Sequence, residues 1–471
     1  MARGARWAVG TTAVLLVLGA GGYAAADAYD VVPGRLTLEP PPPTPAPFPT
    51  PDVDPAPEVT AVLAGPDPEA PLPSAEAVAA LAASAVADPR LGSSTTVVVT
   101  DVLTGQVLVD VGGRQPQEPA STTKLLTAAA AITVLGTEAT LTTSVVQAAP
   151  DTVVLVGGGD MMLAAGAGDP AAVNGRAGLA DLATEAAQAL TAAGVTQVRL
   201  GLDDTLFTGP SWNAGWQPGY NRYVAPISAL AIDVGHTSDA PYSVRQPDPA
   251  LEAARTFAGL LTERGVAVTG DPVRMTAPSG AAALADVESA PMRDIVAFTV
   301  QQSDNTIAEV LGRLVARARG DAPSFEGATR AVVAAVGALG LDTTGTTIAD
   351  CSGLAAGSRI PGDLLADLMV LAASPGHPAL VPVAVDLAVG GWSGTLFDRF
   401  LEGPARGLVR AKTGSLPGVT SLAGTVVTQS GRLLAFAVLA DATGASGQDR
   451  PREAIDEFVT RLAAVPPAAA G

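Results

Sequence analysis

The sequence predicts an α+β protein: an antiparallel sheet flanked by helices and interrupted by one large inserted region. Three observations carry this expectation. Strand-like runs stand at both ends of the folded part: TTVVVTDVLTGQVLVDVG from Thr95, and GLVRAKTGSL, TSLAGTVVTQ and RLLAFAVLAD near the C-terminus. Apolar stretches of helical length accompany them, SAEAVAALAASAVADP from Ser74 and REAIDEFVTRLAAV toward the end. Between about 140 and 285 the texture changes, with short strands such as TVVLVGGGD beside a helix, AGLADLATEAAQALTAAG.

Taken in order, the chain starts with Arg3 and Arg6 ahead of an uncharged run, residues 7–26, that closes on small residues. Residues 1–28 therefore read as an export signal or a membrane anchor, with the positive end kept inside. An uncharged run of that length also suffices to span a bilayer. Residues 29–73 contain EPPPPTPAPFPTPDVDPAP, an extended, semi-rigid spacer. Either way, the folded part is expected outside the cytoplasmic membrane. That part is expected to consist of 74–142 and 286–466 as the sheet-and-helix body, with 143–285 inserted. The first two strands meet at Leu103-Thr104-Gly105, and an Ala/Leu-rich helix follows Lys124. MRDIVAFTVQQSDNTIAEVLGRLVARA returns the chain to helix before the last three strands. No internal repeat is visible.

Composition excludes several functions. A net charge of −19 argues against a nucleic-acid partner. One cysteine, Cys351, allows no internal disulfide and no cysteine-based zinc cluster, and it reads as a small buried residue. Two histidines, His236 and His377, stand far apart in loop-like contexts, which disfavours a histidine-based triad or metal site. Neither a metal nor another cofactor is expected. Of 27 basic residues, all but Lys124 and Lys412 are arginine. Arginine stays protonated, whereas a lysine can lose its proton and act as a base.

Both lysines fall inside short motifs. Ser121-Thr122-Thr123-Lys124 opens a helix, where residues three apart share a face and the amine can reach the hydroxyl. Desolvation and the helix N-terminus both lower a lysine pKa there. Ser303-Asp304-Asn305 sits at a loop-to-helix junction, and Lys412-Thr413-Gly414 on a strand where a bare glycine lets a substrate backbone approach. Each motif alone is weak: a helix cap, a polar N-cap, a strand end. Together they occur in the order S-x-x-K, S-D-N, K-T-G, on the elements that serine penicillin-recognising enzymes require.

On these motifs the chain resembles the penicillin-binding protein and serine β-lactamase superfamily. It looks most like the low-molecular-mass D-alanyl-D-alanine carboxypeptidase/endopeptidases. LVGGGDMML from Leu155, YVAPISALAIDVG from Tyr223 and DCSGLAAGSRI from Asp350 are also similar to that group. So is the long stretch between Ser121 and Ser303, where these peptidases carry inserted domains. The resemblance implies the transpeptidase-like fold and peptidoglycan stem peptides as substrate, with β-lactams as inhibitors. It implies Ser121 as nucleophile, Lys124 as its base and Ser303 as proton relay. Asn305 would orient Lys124 and Lys412 would supply positive charge, while Thr413, Gly414 and Ser415 bind substrate. The backbone N–H groups of Ser121 and Ser415 would form the oxyanion hole. Relatives read D-G-S-G-L-S-R where this chain has Cys351 and, at the arginine, Ala356. That arginine meets a charged group of the substrate's side chain, and Arg359 is the expected substitute. Asp160 and Asp233 are expected to be structural, and Trp212, Trp216, Tyr220 and Tyr223 to pack the insertion.

Two other readings share parts of this pattern. A β-lactamase or esterase uses the same acylation, but no E-x-x-x-N motif for deacylation stands out. A non-catalytic wall-binding scaffold would let the motif residues drift, and all three triplets are intact. A transpeptidase shares every motif.

Overall fold

The run Leu433–Ala440 is apolar on both faces, and such a strand belongs inside a sheet covered on both sides. The structure, a computed structural model, describes residues 20–29, 31–32, 67, 69–240, 242–444 and 447–468. Most of the expected signal or anchor (1–28) and much of the linker (29–73) lie outside the described residues. The chain divides at 64/65, and a helix covers 20–28 in the first unit. Among the described residues no single helix is long and apolar enough to cross a membrane.

In the second unit the early strands are β1 (Thr95–Asp101) and β2 (Val107–Val111). The middle of the chain supplies β3 (Thr142–Ala149), β4 (Thr152–Val156), β5 (Asp160–Leu163), β6 (Gln197–Asp203) and β7 (Leu230–Ile232). It continues with β8 (Ala267–Val268), β9 (Val273–Arg274) and β10 (Ala283–Glu288). The last strands are β11 (Ala388–Val389), β12 (Val409–Leu416), β13 (Val419–Val427) and β14 (Leu433–Ala440).

The main sheet is antiparallel in the order β11-β12-β13-β14-β1-β2, so the ends of the folded part pair directly, Thr95 opposite Ala440. The α+β class predicted from sequence is therefore the class observed. Alternation along β14 sorts its two faces. Leu434, Phe436, Val438 and Ala440 meet helices Ala75–Val86 and Asp449–Ala463. Ala435, Ala437 and Leu439 meet Lys124–Leu135 and Gly362–Ala373 on the other side. Lys124–Leu135 is apolar nearly all round, the pattern of a helix inside a core, and Lys124 through Ile132 are buried.

A second sheet, β10-β3-β4-β6-β8, is built from the stretch between Thr142 and Glu288. It mixes parallel and antiparallel pairs and has its own core around Phe257, Leu155 and Leu202. Its ends, β3 and β10, pair with each other, so chain leaves and rejoins the body at one place.

One buried ion pair ties the two halves of the body. Arg432 donates Nε and Nη2 to the Asp101 carboxylate at 2.6 and 2.7 Å, with Asp101 0% and Arg432 6% exposed. Asp101→Ala removes the carboxylate that the guanidinium's Nε and Nη2 bind. The expected loss is about 3–5 kcal/mol in chemical denaturation; a loss under about 1 kcal/mol would refute this role.

Candidate active site

The segment Ala120–Thr123 is a tight 3-10 turn running directly into helix Lys124–Leu135. Its threonines cause the tightening: Thr122 Oγ1 donates to the Pro119 carbonyl and Thr123 Oγ1 to the Ala120 carbonyl, both at 2.8 Å. Ala120, just before Ser121, is held at φ 49°, a left-handed conformation costly for alanine. Gly353 presses on it so closely that a Cβ there would lie 1.9 Å from the Ala120 oxygen. The Ser121 segment is thus clamped from both sides.

One helical turn on, Lys124 is fully buried and its Nζ lies 3.0 Å from Ser121 Oγ. The same nitrogen donates to Asn305 Oδ1 at 2.7 Å and to the Ser352 carbonyl at 2.7 Å. Asn305 Nδ2 donates to the Tyr223 carbonyl at 3.0 Å, which fixes the way the amide faces. Both oxygens at Lys124 can therefore only accept. A neutral amine has two N–H groups and one lone pair. With two N–H groups engaged there, Nζ meets Ser121 Oγ as a donor while charged and through its lone pair once neutral. Burial lowers the Lys124 pKa to about 8, against the opposing pull of the Asp350, Asp304 and Glu309 carboxylates.

The S-D-N motif is delivered by a break between helices. Ser303 ends helix Met292–Gln302 in the left-handed region (φ 57°), and Asp304 caps the next, its Oδ1 accepting from Ile307 N at 2.8 Å. Asn305 is thereby the first residue of helix Asn305–Ala318, and Ser303 turns toward β12. Lys412 Nζ donates to Ser303 Oγ at 2.8 Å. Lys412 is fully buried too, and burial together with the Lys124 charge holds its pKa well below the usual value. Thr413 Oγ1 bonds Thr395 Oγ1 at 3.0 Å, and Arg452 Nη2 donates to Ser415 Oγ at 3.3 Å.

β11 pairs with β12 only at Arg410 and Ala411. Past that point, no strand among the described residues covers that edge of β12, and a peptide can add to it as a strand. Gly414 is also required for packing within the chain. A Cβ at Gly414 would lie 2.0 Å from Ser421 Oγ and 2.5 Å from the Pro119 oxygen, so the missing side chain is what lets the Ser121 segment lie on the sheet.

A second layer holds the Ser352 carbonyl in place. Ser352 N donates to Glu309 Oε1 at 2.8 Å, and Asp350 takes the N–H groups of Gly353 and Ala355 and the Trp216 indole. Glu309 is buried, which with the nearby Asp350 charge raises its pKa to about 8. Cys351 is fully buried, and its sulfur packs where a side chain on Gly312 would stand. Burial pushes its thiol pKa up.

All the residues picked from the sequence as catalytic lie together: Ser121, Lys124 and Asn305 in one hydrogen-bonded cluster, Ser303 and Lys412 in another. Sequence reasoning missed Ser352, Glu309, Thr395 and Arg452. Glu309 alone left a trace, as an acid one turn after Asn305 in an apolar helix. Arg359 is spoken for, paired with Glu118 at 3.0 Å. Trp216 packs edge-on against Trp212 and Phe325, while Tyr223 remains 45% exposed. His236 bonds back to Asp233 in its own turn, and buried Asp160 accepts from Met162 N. Among the described residues no group of three or more His, Cys, Asp or Glu could hold a metal ion.

A hydroxyl gripped by a buried, deprotonatable lysine needs no histidine, and with the S-D-N and K-T-G pairs around it the fold and site define a serine penicillin-recognising enzyme. The chain belongs to the D-Ala-D-Ala carboxypeptidase 3 (S13) family, whose profile matches residues 78–240 and 236–462. A carboxypeptidase of Mycobacterium tuberculosis is 38% identical over 403 residues, 82% of this chain and 83% of that one. The carboxypeptidase DacB of Mycolicibacterium smegmatis is 36% identical over 390 residues, covering 81% and 82%. The crystal structure of penicillin binding protein 4 (dacB) from Haemophilus influenzae shares the fold, with a TM-score of 0.69 at 20% identity over 81% of this chain and 99% of that one.

Proposed function

We infer that this chain is a serine D-alanyl-D-alanine carboxypeptidase, with endopeptidase action on D-amino-acid cross-links, that works on peptidoglycan stem peptides through an acyl-enzyme on Ser121. The observation that carries the reading is the buried Lys124 Nζ, which lies 3.0 Å from Ser121 Oγ and donates to Asn305 Oδ1 and the Ser352 carbonyl, so that on losing a proton its lone pair faces the serine. Ser121 Oγ attacks the carbonyl of the penultimate D-Ala as its proton passes to Lys124 Nζ. The N–H groups of Ser121 and Ser415 receive the oxyanion, each donor worth about 3–4 kcal/mol. Ser303, held by Lys412, gives its proton to the departing amine and regains the one Lys124 took from Ser121. Asn305 keeps one N–H free of Tyr223 for the substrate amide. Thr413 takes the terminal carboxylate, with Arg452 adding charge behind Ser415. Water then releases the acyl group.

β-Lactams mimic the terminal dipeptide and acylate the same serine. The H. influenzae protein has been crystallised with one. Labelled penicillin tests the reading: a lasting adduct on Ser121 supports it, and rapid turnover of the drug without an adduct favours the β-lactamase. The same assay reports pH. Only neutral Lys124 takes the proton, so acylation should rise about tenfold per pH unit from acid and level off above about 8. A profile flat from pH 5 to 9 would exclude Lys124 as the base. The site of action lies outside the cytoplasmic membrane in this reading, which is supported by Arg3 and Arg6 before residues 7–26.

A further inference from the structure

The loop that follows β11 carries two aromatic side chains into solvent beside the K-T-G strand. Trp392 is 73% exposed and Phe397 66%, whereas Trp216 of the insertion is 4% exposed. The backbone beneath the two rings is held throughout. Trp392 N donates to the Val389 carbonyl at 3.0 Å, and Gly391 N to the Leu396 carbonyl at 2.9 Å. Ser393 Oγ accepts from Val389 N at 3.2 Å, and Leu396, next to Phe397, is fully buried. An indole and a phenyl ring kept in water on a fixed backbone mark a surface that something covers.

Two contacts join this loop to the catalytic motifs. Thr395 Oγ1 accepts from Thr413 Oγ1 at 3.0 Å, on the K-T-G strand. Gly394, at φ 55°, lies so close to the helix before Ser303 that a Cβ there would stand 2.7 Å from the Gln301 oxygen. The loop therefore reaches from the K-T-G strand to the S-D-N turn and borders one end of the cleft. The direction of β12 says which end. With the scissile carbonyl at the Ser415 N–H and the terminal carboxylate at Thr413, a substrate on the free edge of β12 heads toward Ala411. There β11 takes over the edge and the loop begins. The bordered end is the side of the departing amine.

A peptide ending in D-Ala-D-Ala stops at that carboxylate. In a cross-link the departing D-residue bears the same carboxylate but continues through its side chain into a second peptide strand. We propose that Trp392, with Phe397 of the same loop, is the platform for that departing strand. The ring faces cover the aliphatic stem by which the departing residue joins the second strand, and take it out of water. This rests on the endopeptidase part of the proposed function. It adds a residue that separates cleavage of cross-links from removal of a terminal D-Ala.

The test compares a synthetic peptide ending in D-Ala-D-Ala with the same peptide whose last residue is extended through its side chain into a second strand. The full-length wild type should cleave both. Trp392→Ala should lower kcat/KM for the cross-linked peptide about tenfold, chiefly through KM, and leave that for the unlinked peptide within about twofold. Trp392→Phe should recover part of the loss. The unlinked peptide also reports that each variant is folded. Equal losses on both peptides, or no loss on the cross-linked one, overturn the platform and leave the peptidase intact. Cleavage of only the unlinked peptide by the wild type removes the endopeptidase reading and the platform with it, whereas cleavage of neither removes the carboxypeptidase reading as well. Sedimentation tests the competing occupant: a wild-type dimer that Trp392→Ala dissociates would assign this face to a second copy of the chain and overturn the proposal.

Discussion

Lys124→Arg should acylate with penicillin about 10²–10⁴-fold more slowly than the wild type. The substitution keeps the positive charge but removes the base. A guanidinium stays protonated at any working pH and has no lone pair to offer. It also brings five donors to a buried position where two carbonyl oxygens and one hydroxyl are placed for a single nitrogen. The rate constant for adduct formation with a fluorescent penicillin measures the effect. Acylation within tenfold of wild type would end the proposed role of Lys124. The pH profile sharpens the result, because the wild-type rise toward pH 8 should be absent from whatever activity the variant retains.

Gly414→Ala should reduce acylation about 100-fold or more and destabilise the protein. One methyl group suffices because its nearest neighbours are 2.0 Å away at Ser421 Oγ and 2.5 Å away at the Pro119 oxygen. The first could rotate only by giving up its 2.6 Å bond to that same oxygen, and the second is backbone. The strand cannot yield, since β12 is locked to β13 from Val409 to Leu416. The Pro119–Ser121 segment must then lift, and a displacement of about 1 Å at a nucleophile can cost 10²-fold in rate. Overpacking of this kind also costs about 1–3 kcal/mol of stability. Ser421→Ala in the same protein should recover only part of both losses, because the Pro119 oxygen remains. Wild-type acylation by Gly414→Ala would show that the contact is not needed.

The linear motifs were legible because their chemistry is local. Ser121 and Lys124 share a helix face by their spacing alone, and Asp304 announces the helix that presents Asn305. The apolar runs of β13 and β14 likewise read as strands in any context. What escaped notice comes from packing between distant segments. The Ser352 carbonyl is a backbone atom with no side-chain signature, and Glu309 and Asp350 matter only because they hold its loop. Gly414 was visible as a glycine, but its neighbours across the fold decided what it is for.

From the residues alone came the proposed nucleophile and its proposed lysine base, the antiparallel body and the presence of an insertion. Each depends on periodicity, short spacing or the acid–base limits of one side chain. The tertiary structure decided which oxygens surround Lys124 and how far its pKa falls. Those are matters of desolvation and of contacts between segments hundreds of residues apart, and only the folded chain sets them.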